Sequence, residues 1–284
     1  MNEEKRGIIF AVMAFTFWGM VPIYFKAVSS VSATEVLVHR IIWSVVFLSV
    51  MIVYTKQFKQ FIYIIRNKKK LKILFITSIL VSTNWLVFIW AVLNNKITEA
   101  SLGYFINPIV NVLLGILFFK EKLTKYQALA IFFAILAVFN ELISFGSIPV
   151  LSLTLAFSFG FYGMLRKKIA LSSVPGLLIE TLIMSPIAVI YFIYLVSTSK
   201  NSFVYPPDYT SLLLVSAGFI TVIPLLWFNA AATRISMAKL GFLQYIGPSI
   251  SFLLGVLIYK EPFNENKMIT FLLIWIALLI FSKK

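Results

Sequence analysis

Two ionisable residues stand where such residues are rarely found. Arg40 follows His39 well inside an apolar run that begins near residue 33, and Glu180 sits inside another that begins near 174. A charged side chain surrounded by hydrocarbon is costly unless it is paired or hydrated, so each is a candidate for a charged solute group or a coupling proton. They also correspond in sequence, being 140 residues apart, which is the offset of the internal repeat described below. Three readings therefore stay open: Arg40 and Glu180 pair and lock two halves of the molecule together, they bind solute and protons, or they snorkel from a lipid-facing position. His39 projects about 100° away from Arg40 on a helix and reads as a weaker candidate that bonds a neighbouring segment.

A second set of polar residues follows helical spacing. Gly103, Asn107, Asn111 and Gly115 recur every four residues and share one helix face, and Gly247, Ser251 and Gly255 echo them. Both a helix-packing stripe and a cavity lining fit that pattern. Pro108 and Pro248 each lack a backbone donor, which frees in principle the carbonyls of Tyr104 and Gln244. Such carbonyls belong against the bundle interior or a wet cavity, so both prolines are expected to mark helix breaks. Aromatic residues at similar depth, among them Trp18, Tyr24 and Trp90, serve as belt or packing residues or wall a pocket for an organic solute. The expected solute-contacting set is Arg40, Glu180, His39, Trp43, Trp85, Tyr104, Asn107, Asn111, Trp227, Gln244 and Tyr245. Lys26 reads as a snorkelling lysine and Glu35 as an exposed acid at a helix N-terminus.

The elements that must position these residues are membrane spans. Of 284 residues 61% are hydrophobic and 12% charged, where a soluble domain carries about 25% charged residues. Mean hydropathy is +0.96. Apolar runs bounded by charge, Pro/Gly or polar clusters give ten spans, near 7–28, 33–54, 71–93, 97–118, 124–142, 148–167, 174–196, 209–232, 237–258 and 264–282. The first has Lys5 and Arg6 ahead of it, as a signal peptide would. It is too long for that and holds Trp18, Gly19 and Pro22, so it reads as a mature span. Thr55 to Lys70 places Phe58, Phe61, Ile62 and Ile65 among basic residues, the pattern of an amphipathic interfacial segment.

Composition also excludes functions. There is no cysteine and one histidine, which removes disulfides, thiolate sites and multi-histidine metal centres. No Ser/His/acid set points to an enzyme, no phosphate-binding GxxxxGK[ST] loop points to direct ATP coupling, and no cofactor is expected. The net charge of +15 lies between apolar runs, where it sets topology and meets anionic lipid headgroups; nucleic acid is not an expected partner. With a cytoplasmic N-terminus, nineteen of the 25 Lys and Arg residues fall inside, against Lys26, Lys96, Lys200, Lys260 and Lys267 outside and Arg40 within a span. Both termini are thus expected in the cytoplasm. No oligomeric state is legible.

The chain repeats itself. Pro108 to Glu121 reads PIVNVLLGILFFKE and Pro248 to Glu261 reads PSISFLLGVLIYKE, identical at half of the positions. ITEASLG at Ile97 and ISMAKLG at Ile235 align upstream, and AFTF at Ala14 resembles AFSF at Ala156. The matched segments are the fourth and ninth spans, and an odd separation makes them cross in opposite directions. The expected fold is an all-α membrane protein of ten transmembrane helices in two inverted five-helix repeats, 1–145 and 146–284, with a solute site between them. Trp18-Gly19, Pro22, Tyr24 and Lys26, then HRIIWS at His39, EASLGYFINP at Glu99 and GFLQYIGP at Gly241, resemble the RarD subfamily of EamA-type transporters, in the drug/metabolite transporter superfamily. The resemblance covers essentially the whole chain. It implies a ten-span inner-membrane carrier with two EamA repeats, and it leaves the solute open. The expected function is export of small organic metabolites or drugs by alternating access, with protons as a candidate partner; a passive channel or uniporter is the alternative.

Overall fold

The computed structural model describes residues 2–93, 97–145, 148–204, 206–259 and 265–283. Their regular structure is helical: α1 (Glu3–Ala27), α2 (Ala33–Tyr54), α3 (Phe58–Arg66), α4 (Lys68–Leu93), α5 (Ile97–Phe119), α6 (Lys125–Phe145), α7 (Val150–Ile169), α8 (Ser173–Ser197), α9 (Tyr209–Ala232), α10 (Met237–Gln244), α11 (Ile246–Leu253) and α12 (Glu265–Phe281). Helix starts follow polar caps. Asn2, Ser32, Asp208 and Ser236 accept backbone N–H bonds from Glu4, Glu35, Ser211 and Lys239. α7 stops where Ala170 turns left-handed at φ 48°.

Among the described residues, 8 helical stretches are long and apolar enough to cross a membrane, and Met268–Phe281 is a shorter apolar helix. They match nine of the ten expected spans. α7 answers the sixth but is less apolar, because it carries Ser152, Thr154 and Ser158 and ends in Arg166, Lys167 and Lys168. Large apolar side chains point outward from these helices, with Leu117 at 72%, Val53 at 71% and Ile187 at 75% exposure. Surface of that kind needs lipid around it. The short α3 takes the place of the expected interfacial segment. It buries Ile64 against Leu74, Leu171 and Ile179 and leaves Phe58 and Tyr63 exposed.

The ninth expected span is not one helix. It runs as α10, a break at Tyr245, α11, and a wider π-helical turn over Leu254–Ile258. Pro248 lies just after that break. Pro108 behaves differently: α5 continues through it, so the expected break there is absent.

Helix packing is specific. α1 lies on α9, α10 and α11; α5 lies on α7 and α10; α4 lies on α7 and α8; α2 lies on α8 and α9; α6 lies on α12. Two glycines permit the closest approaches to a neighbouring backbone among the described residues. A Cβ on Gly218 would come 2.5 Å from the Trp43 carbonyl carbon, and one on Gly241 would come 2.7 Å from the Pro108 oxygen. The repeated Lys-Glu also has a structural use: the Glu121 carboxylate accepts the backbone N–H groups of Met237 at 2.7 Å and Ala238 at 3.1 Å, capping α10. Its sequence counterpart Glu261 lies outside the described residues, as do Lys96 and Lys260.

Candidate functional site

Arg40 projects from α2 into a junction of α4, α5, α9 and α1. Its Nε donates to Thr221 Oγ1 at 2.9 Å, and that hydroxyl donates in turn to the Ala217 carbonyl at 2.7 Å. The guanidinium carbon lies 4.8 Å from the centre of the Trp85 ring, a cation–π contact. The Tyr24 and Tyr104 phenols are within electrostatic reach. Tyr104 is 39% exposed and meets Phe88 edge to face at 6.0 Å, while Phe88 lies 6.2 Å from Phe25. Among the described residues no carboxylate pairs with Arg40.

Glu180 is elsewhere, and its cation is not Arg40. The Glu180 carboxylate is 3.6 Å from Arg166 Nη1, both side chains being 1% exposed. Thr77 Oγ1 donates to Glu180 Oε1 at 2.5 Å, and the Tyr162 hydroxyl donates to Oε2 at 3.4 Å while receiving a bond from Asn229 Nδ2 at 3.0 Å. Gly176 makes room for the guanidinium: a Cβ there would fall 2.2 Å from Arg166 Nη1. The Arg40–Glu180 ion pair, one of the readings of the sequence, is thus replaced by Arg166–Glu180. Sequence reasoning assigned Arg166 to the basic run that sets topology. The available signal was its place four residues after Tyr162, on the same face of α7.

His39 and Trp43 belong to a third cluster. Trp43 Nε1 donates to His39 Nδ1 at 3.2 Å, and the buried imidazole stacks on Phe203 at 5.3 Å and meets Phe192 edge to face. One turn earlier on α2, Glu35 accepts the Ser202 N–H at 2.5 Å and hydroxyl at 2.9 Å. Glu35 is 1% exposed, which corrects its reading as an exposed acid. Glu35, His39 and Trp43 together hold the α8–α9 connection against α2.

Asn107, Asn111, Gln244 and Tyr245 form the seam between α5 and α10. Asn107 Nδ2 donates to the Ala156 carbonyl at 2.5 Å, Asn111 Nδ2 to Asn107 Oδ1 at 3.1 Å and Gln244 Oε1 at 3.0 Å, and the Tyr245 hydroxyl to the Phe105 carbonyl at 3.1 Å. All four residues are at most 6% exposed. Of the two uses open to this stripe, the contacts are those of helix packing.

Trp227 lines a cavity of about 570 Å³ with Phe10, Gln57, the α7–α8 connection at 170–174, Ala230, Thr233 and Arg234. Glu3 and Arg234, both in its lining, pair with each other, and Glu4 next to Glu3 pairs with Lys239. Beside this cavity lie packed rings. Phe228 sits 6.1 Å from Phe15, 5.8 Å from Trp18 and 4.9 Å from Phe159. On α1, Phe10 lines the cavity, Phe15 and Trp18 join the rings, and Tyr24 lies within electrostatic reach of Arg40; on α9, Thr221 holds Arg40, and Leu226, Trp227 and Ala230 line the cavity on either side of Phe228.

A multi-pass helical membrane protein with a buried polar interior is the class that this fold and these clusters define. The chain belongs to the EamA-like transporter family, whose model matches residues 5–140 and 147–283. It is 48% identical to an uncharacterized transporter of Vibrio cholerae serotype O1 over 99% of this chain and 93% of the relative. It is 45% identical to protein RarD of Escherichia coli strain K12 over 99% of this chain and 95% of the relative. A crystal structure with 15% identity superposes with a TM-score of 0.72 over 97% of both chains, which shows the fold.

Proposed function

We propose that this EamA-family protein is a secondary carrier of small organic solutes that works by alternating access in the plasma (inner) membrane. It crosses the membrane ten times, as two inverted five-helix halves at 1–145 and 146–284, with both termini cytoplasmic. The observation that carries the reading is the ring cluster of Phe15, Trp18, Phe159 and Phe228, packed beside the cavity at Trp227 on α1, α7 and α9, of which α1 and α9 also reach the Arg40 junction; we read it as the barrier between the two. A carrier needs such a barrier, because a path open end to end would be a pore. The helix pairing supports two exchanging halves. The α1–α9 contact has a counterpart in α7–α4, and the contact of α1 with α10 and α11 has one in α7–α5. Movement of one half against the other would close the cavity at one end and open the Arg40 junction at the other.

Counterflow in proteoliposomes tests this. Vesicles preloaded with an exchanged solute should accumulate its labelled form faster than empty ones, because a carrier returns loaded. Equal rates with and without preloading would identify a passive channel instead.

A further inference from the structure

We propose that Arg40 is the solute-recognition residue of that carrier and that its solute is an organic monoanion, a carboxylate on a flat apolar body. The inference rests on the carrier reading and adds the chemical class of what is carried. Its basis is a charge inventory of the interior. Arg166 and Glu180 form an ion pair at 3.6 Å, with no hydrogen bond from any Arg166 nitrogen among the described residues. Glu35 is bonded by Ser202, and Lys167 donates to the Ala232 carbonyl at 3.3 Å and to the Ile235 carbonyl, closing the end of α9. Arg40 remains, a positive charge with no carboxylate partner among the described residues.

Geometry sharpens the assignment. Thr221 holds Nε, so the planar fork is fixed in orientation while its two terminal nitrogens make no hydrogen bond among the described residues. That is the arrangement that grips a carboxylate through two parallel N–H bonds. Trp85 covers one face of the guanidinium, and Tyr104 and Phe88 continue the aromatic wall. A flat apolar body is accommodated there by stacking. An ammonium group finds no equivalent at this junction, where no described carboxylate pairs with Arg40: Glu180 is held by Arg166 and Glu35 by Ser202. A zwitterion or a cation would therefore bring an unanswered positive charge next to Arg40.

The test uses three molecules with one indole body: indole-3-acetate, indole-3-acetamide and protonated tryptamine. Purified full-length protein in non-ionic detergent should be stabilised against thermal unfolding by the acetate, with half-saturation at a concentration about tenfold or more below that of the acetamide and no effect of tryptamine. Arg40→Gln should erase that preference, and Arg40→Lys should keep it in weaker form, since an ammonium lacks the fork. If Arg40→Gln does not fold, the comparison on the unaltered protein still decides. Stabilisation by none of the three, equal stabilisation by all, or preference for tryptamine overturns the inference. The same protein in vesicles separates the two claims. Counterflow of solutes without regard to charge keeps the carrier and removes the anion site, whereas stabilisation by the acetate without any counterflow keeps the anion site and removes the carrier.

Discussion

Arg40 and Glu180 are both charged and both interior, yet only Glu180 has its charge answered, and the two should respond to mutation in opposite ways. Removing either member of the Arg166–Glu180 pair strands a buried charge, so Arg166→Gln or Glu180→Gln alone should destabilise the protein by about 3–5 kcal/mol. The double variant should recover much of that loss, as measured by unfolding in SDS. Arg40→Gln strands no charge and gives up one hydrogen bond to Thr221 and the cation–π contact with Trp85, so it should cost about 2 kcal/mol, less than breaking the ion pair. Its effect should fall on exchange instead. Combining Arg40→Gln with Glu180→Gln should give additive stability losses, because the two share no partner; strong coupling between them would mean that the charges meet in some populated state. Arg40 and Glu180 were legible as interior charges because each interrupts an apolar run. Arg166 was not. A basic residue beside Lys167 and Lys168 at a helix end looks like every other topology signal, and only the tertiary position of Gly176 in α8 shows that its guanidinium turns inward.

Elements divide by how strongly their boundaries are written into local sequence. Most helices start or stop within a few residues of the apolar runs, because the length of hydrocarbon to be crossed sets them. Proline was a poorer guide. α5 runs through Pro108 while the ninth span breaks before Pro248, and the two prolines have similar neighbours. What differs is packing, since α10 is capped by Glu121 and pressed against α5 at Gly241. Pro248→Ala should therefore impair counterflow more than Pro108→Ala, with both variants inserted normally. The α8–α9 connection gives another test. Glu35 and His39 hold Ser202 and Phe203 against α2, contacts between residues more than 160 positions apart that no local pattern announces. Replacing Glu35 by Gln weakens two charge-assisted bonds. A cysteine at Phe203 in this cysteine-free chain should then react with a thiol reagent about tenfold faster than in the Glu35 background. An unchanged rate would show that the Glu35–Ser202 bonds do not hold the connection.

At the scale of the whole molecule, opposite ends must differ both in charge and in access. Basic residues cluster at the end that carries the chain termini, α3 and the connections after α5, α7 and α9. The cavity at Trp227 opens at that same end, since its rim includes Glu3, Gln57, Ser172 and Arg234. By the positive-inside rule we propose that this end faces the cytoplasm. Three single cysteines test the arrangement together. Substitution at Lys68, ahead of the apolar part of α4, and at Lys200, beyond the end of α8, should give labelling by a membrane-impermeant reagent from opposite sides, Lys68 from the cytoplasm. Ala230→Cys, lining the cavity, should label from the same side as Lys68. Alternating access adds a condition that a static pore does not share: a solute that favours closure of the cavity should slow labelling at position 230 while leaving position 68 unchanged. Labelling of Lys68 and Lys200 from one side would remove the topology, and a position 230 that labels from both sides at once would replace the carrier by an open path.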